Sequence, residues 1–63
     1  MNISKSQPEG NAFNIMIQVR RYLFLAHKSD EWPDVEKEMQ DGDYDTLCEV
    51  AERVTYGSIK IVD

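Results

Sequence analysis

The sequence predicts an α+β fold in which three helices pack on a two-stranded ribbon made by the N- and C-terminal segments, in the order β-α-α-α-β. Two observations carry this. Short segments of alternating apolar and polar residues stand at both ends, and three stretches of helical apolar spacing, divided by Gly, Pro and capping residues, fill the middle. With 63 residues the chain makes one small domain, residues 1–63, without a linker or internal repeat. A domain of that size buries only about 60% of the surface that its unfolded chain exposes, so each core contact counts.

Met1 to Lys5 alternates Met1 and Ile3 with Asn2 and Ser4, the period of a short strand. Ser6-Gln7-Pro8-Glu9-Gly10 carries the turn formers. Asn11 suits an N-cap, and a helix over Ala12 to Ala26 follows. Eleven of its fifteen residues are apolar, out of 26 apolar residues in the chain, so this central helix is expected to be buried on most sides. Its main stripe is Ala12, Met16, Val19, Leu23 and Ala26, widened on one side by Ile15 and Tyr22, and a second row runs Phe13, Ile17, Arg20, Phe24, with some surface left for a partner.

His27 and Lys28 complement the dipole at its C-terminal end. Ser29 or Asp30 is expected to cap the second helix, with Pro33 in its first turn and Trp32, Val35 and Met39 on one face. Gly42 is read as its C′ stop. Asp43 caps a third helix with the stripe Tyr44, Leu47, Ala51, Val54, which Gly57 ends. Ser58 to Asp63 closes the chain as a strand with Ile59 and Ile61 on one face, and Ile3 joins them against a helix.

Two segments, Pro8-Glu9-Gly10-Asn11-Ala12-Phe13 and Gly42-Asp43-Tyr44-Asp45, carry a resemblance. In them the chain resembles a group of small uncharacterised bacteriophage and prophage proteins, over most of its length in order and spacing. Gln40-Asp41 stands where that group has Thr-Ser, and the closing segment lacks its acidic-aromatic run. The resemblance implies a phage setting and a compact α+β fold, and it brings no activity with it. Capping and helix-stop chemistry account for both segments. The other reading brings the two loops together as a contact surface.

Net charge is −5, which argues against direct binding to nucleic acid or an anionic membrane. Cys48 is the only cysteine, so no intramolecular disulfide forms and a reducing cytoplasm, here that of a bacterial host, suits the chain. No signal peptide or membrane span is expected, since Arg20 and Arg21 interrupt the longest apolar stretch.

No cofactor, metal or catalytic residue is expected. Asp41, Asp43, Asp45 and Glu52 occupy positions 1, 3, 5 and 12 of an EF-hand loop, but Thr46 stands where that loop needs glycine. His27 and Cys48 are the only soft ligands, too few for structural zinc. Cys48 is expected to pack rather than react.

Charge is unevenly placed. Asp30 to Glu52 holds ten acids and one base, Lys37, a charge of −9 over 23 residues. One reading is a solvated face; the other is a negative surface, with Asp34, Glu38 and Glu49 in it, that steers the chain to a basic protein or imitates DNA phosphates. Arg20 either lays its stem over apolar surface and reaches water or an acid of the second helix, or anchors an interface beside Phe24. Phe13, Arg20 and Phe24 are therefore candidate interface residues. Any excess of the Phe13, Ile17, Phe24 row over what the other helices cover favours a homo-oligomer.

The functional expectation is a small non-enzymatic phage or prophage accessory protein that acts by protein-protein binding. The alternative is an acidic nucleic-acid-mimicking inhibitor of a host defence or DNA-processing enzyme.

Overall fold

Two strands from opposite ends of the sequence lie side by side in parallel, and three helices fill the chain between them. The computed structural model describes residues 1–63. The elements are β1 (Asn2–Ser4), α1 (Ala12–Leu25), α2 (Trp32–Asp41), α3 (Tyr44–Val54) and β2 (Lys60–Val62). Single 3-10 turns at Pro8–Gly10 and Ser29–Glu31 precede α1 and α2.

The register pairs Asn2 with Lys60, Ile3 with Ile61 and Ser4 with Val62. A parallel pair cannot close through a tight turn and needs a crossover, and here the three helices are that crossover. Ile3 is buried and its neighbour Ile61 is half-buried, as the alternation predicts. Ile59 is buried as well, but it precedes β2 rather than lying within it.

α1 starts as its sequence dictates. The Asn11 Oδ1 accepts from the Asn14 amide at 2.8 Å, and the Asn11 Nδ2 donates to the Pro8 carbonyl at 2.6 Å. The helix buries Ile15, Val19 and Leu23 completely, a 4-4 stripe that leaves Ala12 exposed. The centre of the stripe is thus corrected toward its expected widening side: Ile15 takes the central place, and Met16, Tyr22 and Ala26 are half-buried at its edges. α1 is not covered on most sides, since Phe13, Ile17, Phe24 and Leu25 face solvent.

Val35 and Met39 of α2 and Leu47, Cys48, Val50 and Ala51 of α3 complete the core with Ile3 and Ile59. Trp32, Tyr44 and Val54 pack against it from the edge. Full burial of one such aliphatic side chain contributes about 1.5–3 kcal/mol.

α1 and α3 close in the same way, and only the exit of α3, expected at Gly57, departs from expectation. Lys28 N–H bonds the Leu23 carbonyl at 2.7 Å and His27 N–H bonds the Phe24 carbonyl at 3.2 Å, a Schellman closure with His27 at φ 60°. α3 ends the same way, with Gly57 N–H on Glu52 (2.9 Å) and Tyr56 N–H on Arg53 (3.2 Å). The left-handed C′ residue is therefore Tyr56, at φ 53°, and Gly57 follows it at φ 80°.

Gly42 is not a left-handed stop: its backbone is extended. Glycine is required there because a Cβ would meet Thr46 Cγ2 at 2.5 Å and Thr46 Cβ at 2.6 Å. No side chain caps α2, neither Ser29 nor Asp30, because the 3-10 turn feeds directly into it. Asp43 does cap α3, accepting from the Thr46 amide at 2.8 Å.

Candidate functional site

The outward face of α1 repeats every three to four residues, so positions 13, 17, 20 and 24 fall in one line. Phe13 is 75% exposed, Phe24 51% and Ile17 45%. The Arg20 guanidinium carbon lies 5.1 Å from the centre of the Phe24 ring, a cation-π contact within the row. Arg20 reaches no acid of α2, and the one ion pair of the chain joins other residues.

Beside this row an open groove separates α1 from α2. Phe13, Met16, Ile17 and Arg20 form one wall, and Trp32 and Glu36 belong to the other. A second, shallower concavity continues along Ile17, Arg20, Arg21 and Phe24. The far wall was not legible as such. Trp32 packs against the core on the face of Val35 and Met39, and its i+4 and i+8 positions, the polar Glu36 and Gln40, share the groove with it. That spacing is the signal that places Trp32 at the edge.

The acidic residues serve several purposes. Asp34, Glu38 and Glu49 are all exposed. Glu38, however, binds Arg53 of α3 at 2.5 Å, and this bond holds the Arg53 guanidinium charged even more firmly than usual. The Thr46 backbone and side chain bond the Asp43 carboxylate and hold its pKa below the usual 3.8. Two of the ten acids in this segment therefore clamp or cap the helices that carry them.

The four EF-hand-like acids do not wrap a loop. Asp41 ends α2, Asp43 is the cap, and Asp45 and Glu52 lie on α3. No three His, Cys, Asp or Glu side chains gather as a metal-holding cluster. Cys48 is buried and burial pushes its thiol pKa up, opposite to the shift that makes a reactive thiolate.

The segments Pro8 to Phe13 and Gly42 to Asp45 meet in space, where the Tyr44 hydroxyl bonds the Gly10 carbonyl. One buried polar residue escaped the sequence reading altogether. Thr55 is fully buried; its Oγ1 donates to the Ala51 carbonyl at 2.7 Å and accepts from the Ile59 amide at 3.1 Å. It fastens the end of α3 to the approach to β2.

No protein family, curated protein or solved structure matches the chain. No helix is long and apolar enough to cross a membrane.

Proposed function

We propose that this chain is a small non-enzymatic accessory protein of bacteriophage or prophage origin that acts in the bacterial cytoplasm by binding protein through the outward row of α1. The observation that carries the reading is the exposure of Phe13, Ile17 and Phe24 in one line, with Arg20 stacked on Phe24. Aromatic and Arg side chains contribute most where interfaces desolvate, and three large apolar groups in line gain most when another surface covers them. The phage setting rests on the resemblance at residues 8–13 and 42–45.

A second reading has its own support. Asp34 and Glu49 are exposed and free of ion pairs within a segment of charge −9. Such a surface favours a basic host protein, and a DNA-processing or defence enzyme whose nucleic-acid groove it would occupy is the sharpest case.

One capture experiment from bacterial lysate separates the two, using the parent chain, Phe13→Ser/Phe24→Ser and Asp34→Asn/Glu38→Gln/Glu49→Gln side by side. The α1 reading expects a protein retained by the parent and the acidic variant and lost from the double aromatic variant. Loss from the acidic variant, with displacement by duplex DNA, would establish the second reading instead. Equal retention by all three chains refutes both.

A further inference from the structure

Resting on the reading of the α1 row as a binding surface, we infer that its occupant is a second copy of this chain, packed with α1 antiparallel to α1 about a two-fold axis between Ile17 and Arg20. The row Phe13, Ile17, Arg20, Phe24 has spacing 4-3-4, which reads the same in both directions. Two such rows laid antiparallel bring every member opposite a member: Phe13 on the partner's Phe24, and Ile17 under the stem of the partner's Arg20. Alternating steps of three and four are also the seam along which helices pack at a shallow angle.

Charge selects the same arrangement. Arg20 and Glu36 stand on opposite walls of the groove between α1 and α2, and the only ion pair in the chain is Arg53 with Glu38. Glu36 lines that groove with Met16, Ile17 and Arg20, and neither it nor Arg20 has an ion partner within the chain. A two-fold that sets the two grooves face to face lets the partner's Glu36 supply the acid that Arg20 lacks. Stacking on Phe24 occupies the face of the guanidinium and leaves its in-plane N–H donors free to bond a carboxylate. A surface that offers one base and one acid is complementary to itself under a two-fold.

A stable interface takes about 800 Å² from each partner, roughly a fifth of the 4193 Å² that this chain exposes, so the pairing asks for most of one side of the molecule.

Sedimentation equilibrium from about 5 to 500 μM tests this, with circular dichroism to confirm that each variant keeps its helices. The parent should form a dimer. Arg20→Glu and Glu36→Arg should each weaken it at least tenfold, Arg20→Glu/Glu36→Arg should recover most of the loss, and Phe24→Ser should abolish it. A parent that stays monomeric at the highest concentration overturns the inference, and so does a dimer indifferent to Phe24→Ser or a charge swap that recovers nothing. A monomer whose Phe13 and Phe24 nonetheless retain a lysate protein overturns the dimer while keeping the α1 row as a binding surface.

Discussion

The Tyr44 hydroxyl donates a hydrogen bond to the Gly10 carbonyl, joining the start of α3 to the turn before α1 across 34 positions of sequence. Gly10 is buried, so its carbonyl has little recourse to water. A Cβ at Gly10 would fall within contact distance of the Ser4 carbonyl and 2.8 Å from Lys5 Cα, which are backbone atoms that cannot swing aside. Tyr44→Phe should destabilise the fold by about 1–2 kcal/mol, because the carbonyl loses its donor. Gly10→Ala should cost about 1–3 kcal/mol or more through overpacking. Urea denaturation of both variants measures these losses, and an unchanged midpoint for Tyr44→Phe would refute the role of the bond.

Thr55→Val keeps the shape of the side chain and removes its hydroxyl. The buried Ile59 amide then has no acceptor, and the change should cost about 1–3 kcal/mol. Thr55→Ser, which retains the hydroxyl, should cost less than Thr55→Val. The reverse order in thermal melts would mean that packing rather than hydrogen bonding governs this position.

His27 and Tyr56 both hold a backbone that glycine adopts at no steric cost. His27→Gly should stabilise the protein by about 0.5–1 kcal/mol, since relief of the left-handed conformation exceeds the entropy that glycine adds to the unfolded chain. In a domain of this size that raises Tm by roughly 4 °C. Tyr56→Gly should gain less, because the Lys28 ammonium lies 4.8 Å from the Tyr56 ring centre and that contact would go.

The Asp43 cap gives stability a defined pH dependence. Its folded pKa lies below the 3.8 of the unfolded chain, because Thr46 bonds the ionised carboxylate. Its contribution is fully present above pH 3.8 and is lost as pH falls through the lower folded value. Asp43→Asn caps comparably and does not titrate. The Tm advantage of the parent over Asp43→Asn should therefore shrink between pH 5 and pH 2.5, and a constant difference across that range would contradict the assignment.

Local chemistry was legible in the sequence, and chemistry that depends on distant segments was not. The Asn11 and Asp43 caps follow from side chains that bond amides three residues away, and the stripes of α2 and α3 follow from spacing, whereas the centre of the α1 stripe does not. Gly42 misled because a glycine between two helices has two explanations, a left-handed stop or lack of room for a Cβ, and only the position of Thr46 decides. Strand direction could not be read from three-residue strands whose alternation is the same either way. Thr55 was invisible because a lone threonine near a helix end carries no periodic signal. The α1 row was legible for a composition reason: the stretch Ala12 to Ala26 holds eleven of 26 apolar residues, more than ten- and eleven-residue partners can cover. The groove wall of Trp32 and Glu36 needed the packing of α2 to appear.

The parallel register of β1 and β2 has a mechanical consequence. In a parallel pair, the start of the first strand and the finish of the second lie at opposite ends of the ladder. Tension applied at residues 1 and 63 therefore slides β1 along β2 instead of peeling one from the other. The bonds from Lys60 N–H to the Met1 carbonyl (2.8 Å) and from Lys5 N–H to the Val62 carbonyl (2.6 Å) bracket that ladder, and sliding loads its rungs together. An antiparallel pair of the same length would open one rung at a time at much lower force. The chain thus carries a small shear clamp, and pulling on it from its two ends strains the grip of Ile3 on Ile61 before it strains any helix.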